Sequence, residues 1–295
     1  MMMRVLKWLL RLVAGLGLLV LIGGYLGAWH PMGDSLAVFR MWAAGAVLAA
    51  ALILALLRDR VFAAVAGTAA VVSAGPVLGA MSVSASEVTR VDATVYVKNL
   101  GNRRADVVGL IEDIRASGAD ILLLQEMTVG SALALRARMS EYPHWHTCEF
   151  SGWSGMAVVS RWPLSATACT GHRSVAAAQV EAPDGPIWAA SIHQLWPFPH
   201  EQALLLPEVL DVLNVNADRQ IVAGDFNMVP WAHSVREIQR VSGTTRISPV
   251  QTTILLRGIG LPIDHVLTTG QGQVERRPQL GSDHFGLVAR IGFAR

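Results

Sequence analysis

Polar side chains that can do chemistry follow apolar stretches at several points after residue 90. Carboxylates can bind a divalent cation or accept a proton from water, imidazoles can stabilise negative charge, and amides can hold a phosphate oxygen. Together these groups would meet the needs of phosphate ester hydrolysis, whereas any one of them alone is more often a cap or a satisfied core group. The residues concerned are Asn99, Glu126, His193, Asp225, Asn227, Asp264, Asp283 and His284.

The apolar stretches before these residues predict strands. Residues 120–126 form a nearly continuous apolar run that ends in a carboxylate, which is typical of a strand buried on both faces. Residues 187–192 end in a histidine, and residues 220–223 lead into Gly-Asp-Phe-Asn. Because functional groups of layered α/β folds commonly lie where strands end and loops begin, these positions favour a single site built from strand ends.

The other elements indicate packed sheets flanked by helices. Residues 105–117 have apolar side chains at helical spacing, and Gly118 stands where the helix would stop. The predicted strands outnumber the helices and do not alternate with them, which disfavours a simple doubly wound sheet. The further predicted strands are 91–97, 156–160, 262–267 and 286–293.

Six short segments carry a specific family pattern. They are Lys98-Asn99, Leu124-Gln125-Glu126, Ser191-Ile192-His193, Gly224-Asp225-Phe226-Asn227, Ile263-Asp264-His265-Val266 and Gly281-Ser282-Asp283-His284. In this order they resemble the endonuclease/exonuclease/phosphatase superfamily, which includes deoxyribonuclease I, abasic-site endonucleases, neutral sphingomyelinases and inositol polyphosphate 5-phosphatases. The resemblance implies an α/β (α+β) fold, a four-layered α/β/β/α sandwich of two mixed sheets with the active site at one edge.

The resemblance also implies a divalent cation, Mg²⁺ or Mn²⁺. Glu126 would be the main metal ligand, and Asn99 and Asp283 would lie close to the ion or its waters. Asn102 is an alternative to Asn99, because the segment between them is compact. A hard cation of this kind needs few protein ligands beyond one carboxylate.

The same resemblance implies the catalytic roles. Asp225 would orient or deprotonate the attacking water, and Asn227 would hold a phosphate oxygen. His284, oriented by Asp264, would stabilise the phosphoryl charge, and His193 would stabilise the phosphate or the leaving group. A carboxylate beside an imidazole does favour the charged imidazole, which suits a phosphate ligand.

The cysteine content disfavours a zinc enzyme, because no cluster of Cys and His residues has zinc-ligand spacing. Cys148 and Cys169 are the two cysteines of the chain. An oxidising compartment would let them pair, and they could then face each other across a hairpin. Two separate buried thiols are the alternative, and the sequence leaves both open.

Composition separates a membrane part from a globular part. Hydrophobic residues make up 52% of the 295 residues and charged residues 16%, well below the roughly one quarter usual in soluble proteins. Stretches 8–28, 41–57 and 61–81 are each long enough, or nearly so, to cross about 30 Å of hydrocarbon. We therefore expect a membrane anchor over residues 1–84 and a catalytic domain over residues 85–295. The first stretch is longer than a cleaved signal peptide requires.

The basic residues around these stretches predict the topology. They precede the first stretch and separate the second from the third, although Arg40 points the other way. The positive-inside rule then puts the N-terminus in the cytoplasm and the catalytic domain in the periplasm, on a multi-pass bacterial inner-membrane protein. The stretches lack acidic residues, which disfavours a transport pathway. The basic residues used here are Arg4, Lys7, Arg11, Arg58 and Arg60.

The sequence thus predicts a membrane-tethered hydrolase of phosphate esters. Its substrate could be a nucleic acid, a phospholipid or a small phosphoester, and no feature implies a protein partner. The formal net charge of +2 is too small to indicate a surface that coats nucleic acid. A catalytically inactive membrane-anchored binding or scaffold module is the alternative, but the carboxylates and imidazoles of the motifs are all present.

Overall fold

The chain divides into two compact units. The computed structural model describes residues 1–84, 88–101, 106–149, 155–172 and 174–294. The first unit comprises Met1–Ser82 together with the short segments Pro197–His200 and Trp231–Ser234, and the second comprises the remainder. The catalytic elements described below lie in the second unit.

Four helices build most of the first unit. They are α1 (Met2–Gly23), α2 (Met32–Val38), α3 (Arg40–Leu56) and α4 (Arg60–Ser82). Among the described residues, α1 and α4 are each long and apolar enough to cross a membrane, and α2 with α3, bent by 64°, would add a third span if the pair counts as one. Three helices, α1, α3 and α4, pack through small buried side chains such as Ala44, Ala50 and Ala66. Helices α3 and α4 coincide with the second and third apolar stretches, α1 overlaps the first but begins and ends earlier, and α2 lies outside all three. The number of crossings remains a prediction.

Arg40 was the basic residue that counted against the topology predicted from the sequence. It begins α3 and is fully buried in the first unit. Its Nη2 donates a hydrogen bond to the Gly24 carbonyl at 2.5 Å, and its guanidinium lies 4.0 Å from the centre of the Tyr25 ring. Arg40 is therefore a packed side chain with internal partners and does not mark a solvated helix end.

The second unit contains two mixed sheets. The strands are β1 (Ala93–Asn99), β2 (Ile121–Met127), β3 (His144–Cys148), β4 (Gly155–Ser160), β5 (Leu164–Cys169), β6 (Val175–Val180), β7 (Ile187–His193), β8 (Gln220–Asp225), β9 (Thr245–Arg246), β10 (Ile254–Leu256), β11 (Ile259–Leu261), β12 (Asp264–Thr268), β13 (Gln271–Arg277) and β14 (Gly286–Gly292). The first sheet has the order β13-β14-β1-β2-β4-β3, the second has the order β5-β6-β7-β8-β12-β9, and β10 and β11 form a separate hairpin. Strands β1 and β2 are parallel, as are β7 and β8, and the other pairs are antiparallel. The helices of this part of the chain are α5 (Val107–Ser117), α6 (Val129–Arg138), α7 (Gln202–Leu213) and α8 (His233–Ser242).

Alternation along the strands builds two apolar layers. Ile121 and Leu123 face the second sheet, where they join a buried cluster with residues of β7 and β8. Leu122 and Leu124 point the other way and pack with the buried face of α5 and with Leu135 of α6. Strand β2 is therefore apolar from Ile121 to Leu124 because both of its faces are covered. Helix α7 packs on β6 of the second sheet. The predicted fold, two mixed sheets flanked by helices, is confirmed.

Local signals set the limits of α5. The Asp106 carboxylate accepts a hydrogen bond from the Gly109 amide at 3.0 Å and caps the first turn. The helix ends at Gly118, whose φ of 66° is left-handed. The predicted helix over 105–117 is therefore present, and within the described residues it begins at Val107.

Cys148 and Cys169 form a disulfide. Of the two alternatives that the sequence left open, the structure has the pairing, but the two cysteines do not face each other across a hairpin. Cys148 lies on β3, which pairs with β4, and Cys169 lies on β5, which pairs with β6. These two strands are the edges of different sheets. The bond therefore ties the two sheets together, because sheet packing and not strand pairing brings the sulfurs into reach.

Replacing both cysteines by serine should lower the free energy of unfolding by about 3 kcal/mol. The two positions are 21 residues apart in sequence, and a cross-link closing a loop of that size restricts the unfolded chain by about that amount. Urea denaturation of the full-length chain in excess EDTA would measure the change. Reduced wild type is the control and should match the double variant, whereas equal midpoints for oxidised and reduced protein would contradict the prediction.

Candidate active site

Four of the predicted residues stand at the ends of parallel strand pairs. Asn99 ends β1 and lies opposite Gln125 of β2, one residue before Glu126. His193 ends β7 and lies opposite Asp225, which ends β8. Parallel strands end at the same edge of a sheet, so each pair delivers its polar groups to one edge. The packed sheets bring the two edges together.

Gly224 is required for the second of these pairs. Its φ is +143°, and a Cβ at this position would lie 2.1 Å from the Ile192 carbonyl oxygen. Backbone cannot move aside at that distance, so any side chain here would displace β8 from β7. The glycine therefore positions Asp225 beside His193.

Glu126 leaves the regular course of its strand. The pairing of β2 with β4 shifts register between Leu124 and Met127, and Glu126 has a φ of 52°. An irregularity of this kind redirects a side chain, and a left-handed residue other than glycine stores strain that is common at functional sites. The Glu126 side chain is 22% exposed, whereas the strand before it is buried. Its carboxylate is therefore accessible to an ion.

Asn99 joins carboxylates from both sheets. Its Nδ2 donates to Glu126 Oε1 at 3.1 Å and to Asp225 Oδ2 at 3.0 Å. Its Oδ1 accepts a hydrogen bond from the Gly101 amide at 2.9 Å, which fixes the orientation of the side-chain amide. Asn99 thus holds two negative groups near each other with both of its amide protons.

His284 and Asp264 form a buried pair. The His284 Nδ1 lies 2.9 Å from Asp264 Oδ2, and its Nε2 lies 3.6 Å from Asp225 Oδ2. Burial lowers the pKa of His284, but the Asp264 and Asp225 carboxylates outweigh it and raise that pKa to about 10. The imidazole is therefore charged at neutral pH. The Nδ1 proton points to Asp264, so Nε2 is the atom that can donate to an anion.

Asp225 is held as an acceptor at the centre of the group. Its Oδ1 accepts a hydrogen bond from the Asn227 amide at 2.8 Å. Burial raises the pKa of Asp225 to about 7, against the opposing effect of the His284 charge. A carboxylate that titrates near neutrality is suited to take a proton from water.

His193 stands between two carboxylates. Its Nε2 lies 3.5 Å from Glu126 Oε1 and 3.8 Å from Asp225 Oδ2. Burial lowers the pKa of His193 more than the Glu126 charge raises it, so the ring is neutral near pH 7. Unlike His284, it would act as a neutral donor.

Asn227 is anchored by the loop that follows β7. Its Nδ2 donates to the Gln194 carbonyl at 2.7 Å, and its φ is 48°. The Gln194 amide in turn donates to the Asp225 carbonyl at 2.9 Å. A carboxamide has two N–H donors, so this fixed side chain can offer the second to an anion.

Asp283 is placed differently from the other predicted residues. It is exposed, and within the described ranges its carboxylate is not hydrogen-bonded to the group around Asn99. A Cβ at Gly101 would lie 3.1 Å from Asp283 Oδ1, which locates this carboxylate beside the turn that follows β1. Asn102, the alternative to Asn99, lies outside the described residues. The metal-side role of Asp283 remains a prediction.

Two arrangements among the described strand-end residues offer metal-binding atoms. The ligand atoms of Asp225, Asp264 and His284 lie within 4.8 Å of one another, but a protonated His284 has no free nitrogen lone pair for a metal and already balances part of the carboxylate charge. Glu126 instead presents a partly exposed carboxylate oxygen. Oxygen ligands at an accessible position fit a hard divalent cation, so Glu126 is the better position for the ion.

Lys98 supports the site from inside, although it was named from the sequence only as part of a motif segment. It is 1% exposed, and its Nζ donates to the carbonyls of Pro278, Gln279 and His284 at 3.2, 2.7 and 2.5 Å. Burial lowers its pKa to about 8. The ammonium thus holds the loop that carries His284. Lys98 is one of the two lysines of the chain and lies within an apolar strand. That position was the available signal, because a buried cation needs hydrogen-bond acceptors around it.

A buried contact between Gln125 and Ser191 was also missed. The Gln125 Nε2 donates to Ser191 Oγ at 2.8 Å, and that hydroxyl donates to the Leu124 carbonyl at 3.1 Å. These bonds connect β2 of the first sheet with β7 of the second directly beneath the strand ends. They position Glu126 and His193 relative to each other. From the sequence, Gln125 and Ser191 were noted only as neighbours of those two residues.

Asp264→Asn should lower the pKa of His284 from about 10 towards 6.5, because the variant removes the nearer of the two carboxylates that favour the charged ring. Histidine ring resonances followed by NMR across a pH titration would report the change. His265, the next residue, is the internal control: burial holds its pKa near 4, and losing the smaller contribution of Asp264 should lower that pKa further rather than raise it. An unchanged His284 titration would contradict the role given to Asp264.

Comparisons with known proteins agree with this geometry. The family model for the endonuclease/exonuclease/phosphatase family matches residues 98–284, which include the candidate site residues from Asn99 to His284. No curated protein sequence matches the chain significantly.

Solved structures share the fold at low sequence identity. An endonuclease/exonuclease/phosphatase family protein from Leptotrichia buccalis has 16% identity and a TM-score of 0.57, over 68% of this chain and 100% of its own. The 3′ phosphatase NExo from Neisseria, bound to a product DNA hairpin, has 16% identity and a TM-score of 0.56 over 68% and 100%. The endonuclease/exonuclease/phosphatase from Bacteroides vulgatus has 15% identity and a TM-score of 0.57 over 70% and 100%. With the family model matched over residues 98–284, the chain belongs to the endonuclease/exonuclease/phosphatase family.

Proposed function

We propose that this protein is a divalent-metal-dependent hydrolase of phosphate esters, tethered to the membrane with its catalytic domain outside the cytoplasm. One observation carries the catalytic part of the proposal. The charged His284, the acceptor Asp225 and the accessible carboxylate of Glu126 are joined through Asn99 into one group. This group offers a cation, a base and a metal ligand within a few ångströms of each other.

The residues divide the reaction between them. Asp225 accepts the proton of the attacking water as the water oxygen forms its bond to phosphorus. His284 donates from Nε2 to a phosphoryl oxygen and stabilises the charge that develops there, while Asp264 keeps that imidazole protonated. Asn227 donates to a second phosphoryl oxygen, and the neutral His193 donates to the leaving oxygen.

The ion would be Mg²⁺ or Mn²⁺. Glu126 would hold it, with Asn99 and Asp283 near the ion or its waters. Once bound, it would neutralise charge on the phosphate oxygens. The oxygen character of these ligands and the partial exposure of Glu126 support a hard cation at this position.

The substrate class is a phosphate ester, of a nucleic acid, a phospholipid or a small molecule. The Neisseria structural neighbour was solved with a product DNA hairpin, which supports a nucleic acid as one candidate. Hydrolysis of DNA, sphingomyelin, phosphatidylinositol lipids and p-nitrophenyl esters by the full-length chain with Mg²⁺ or Mn²⁺ would separate the classes. A catalytically inactive binding module of the same fold predicts no turnover on any of them.

Glu126→Gln, Asp225→Asn and His284→Ala should each lower turnover by about a hundredfold or more, the scale of losing an acid-base or electrostatic group. Pairs of these changes should be far less than additive, because the three groups act as a unit. Turnover on the best substrate found above would measure both effects.

Asp211→Asn, an exposed carboxylate on α7, is the matched control and should leave turnover unchanged. Near-normal hydrolysis by any two of the three variants, or full activity in excess EDTA, would place the chemistry elsewhere.

The proposed location follows from the helices and the basic residues. Helices α1 and α4, with α2 and α3 as one bent span, would cross the membrane three times. Arg4, Lys7 and Arg11 lie in the first half of α1, Arg58 lies between α3 and α4, and Arg60 begins α4. The positive-inside rule then supports a cytoplasmic N-terminus and a catalytic domain outside, which is the periplasm of a bacterium.

A C-terminal alkaline phosphatase fusion should be active in whole bacterial cells, because that enzyme folds only after export. A C-terminal green fluorescent protein fusion exported through the general secretion pathway should be dark. A fluorescent fusion with an inactive phosphatase fusion would overturn the proposed topology without bearing on the hydrolase activity.

A further inference from the structure

A histidine lies against both sulfurs of the disulfide between the sheets. His146 is on β3, two residues before Cys148 and on the same face of the strand. Its Nε2 lies 3.4 Å from the Cys148 Sγ and 3.5 Å from the Cys169 Sγ. The sequence alone disfavoured a zinc site, yet the fold places an imidazole and two cysteine sulfurs within 4.8 Å of one another.

We propose that these three residues form a redox-gated Zn²⁺ site, empty while the disulfide is closed and occupied once it is reduced. Two thiolates and one imidazole are ligands that zinc prefers, and three protein ligands leave a fourth position for water. This site is separate from the carboxylate group at the strand ends, and its chemistry does not depend on the proposed phosphoesterase activity.

The distances fit a zinc tetrahedron. With Zn–S near 2.3 Å and Zn–N near 2.05 Å, a nitrogen and a sulfur ligand stand about 3.6 Å apart, and two sulfur ligands about 3.8 Å apart. Both nitrogen-to-sulfur distances from His146 already have that length. Only the two sulfurs must separate, and breaking the covalent bond makes them separate.

The chemistry balances with a dithiol reductant. A thiolate of the reductant attacks one sulfur of the disulfide and its second thiol resolves the mixed disulfide, so two electrons pass and Cys148 and Cys169 become thiols. Zn²⁺ then binds both sulfurs and displaces two protons. Cys169 is exposed and His146 is half-buried, so reductant and ion can both reach the site.

Zinc binding would cost His146 one hydrogen bond. In the oxidised protein the His146 Nε2 is 3.1 Å from the Ala168 carbonyl and donates to it. To bind zinc, the ring must carry its proton on Nδ1, so this hydrogen bond is lost when the metal bond forms. In return the ion would tie β3 to β5 as the disulfide does, and the edges of the two sheets would stay joined under reducing conditions.

Cobalt is the probe that separates this site from the carboxylate site. The detergent-solubilised full-length chain would be reduced with a phosphine, freed of reductant without oxygen, and titrated with Co²⁺. We expect one equivalent to give a sulfur-to-cobalt charge-transfer band and the visible spectrum of tetrahedral cobalt. The oxidised chain should give neither, because oxygen ligands produce no sulfur band. Zn²⁺ should displace the cobalt and raise the Tm of the reduced chain.

His146→Ala should weaken Co²⁺ binding by tenfold or more and abolish the zinc-dependent rise in Tm, while keeping the disulfide when oxidised. His144→Ala, two residues earlier on β3, is the matched control and should bind as wild type does. Replacing both cysteines by serine should remove the sulfur band.

Three outcomes would overturn the proposal. They are a reduced chain with native circular dichroism but no sulfur band, a reduced chain that loses its native circular dichroism and so has no assembled site, and His146→Ala binding cobalt as tightly as wild type. The last outcome would reduce His146 to a hydrogen-bond partner of Ala168.

Discussion

The face-to-face packing of two sheets is the constraint on which the rest of the second unit depends. Apolar side chains such as Leu123 and Ala189 fill the layer between the sheets, and polar residues replace them where the strands end. The contacts at that boundary cross from one sheet to the other. Asn99 of β1 reaches Asp225 of β8, and Gln125 of β2 reaches a serine of β7. Asn99 and Gln125 are thus each bonded to a partner on the opposite sheet, so the spacing of the sheets sets the geometry of the site.

Charge balance explains how so many ionisable groups share a buried place. Burial disfavours the charged form of Asp225, because an isolated buried carboxylate is very unfavourable. The charged His284 ring lies between Asp225 and Asp264 and offsets part of that cost. The high pKa of His284 and the raised pKa of Asp225 thus follow from the same arrangement. The same arrangement supplies a cation and a base in contact, which phosphate ester hydrolysis needs.

The site contains two residues with strained backbone and one buried lysine that holds a neighbouring loop in place. Glu126 and Asn227 have left-handed conformations, which are unfavourable for residues other than glycine. Lys98 stabilises the loop around His284 through three carbonyl groups. The strained residues are those proposed to touch the ion or the phosphate, while the supporting lysine stays inside. Strain of this kind persists only where the surrounding packing holds the conformation in place.

The sequence by itself determined the strands that carry the site, the family motifs and most of the candidate residues, because each depends on local order. An apolar run that ends in a polar functional residue predicts a buried strand with a polar end, and three such runs predict a shared site. The sequence could not show that Lys98 is buried, because that depends on which loop covers its strand. It also could not show that the Asp283 carboxylate, among the described residues, lies outside the hydrogen-bonded group around Asn99. It could not place the disulfide across two sheets, or His146 between its sulfurs. Those facts join residues from edge strands of different sheets, and only the packing of the sheets decides which strands become neighbours.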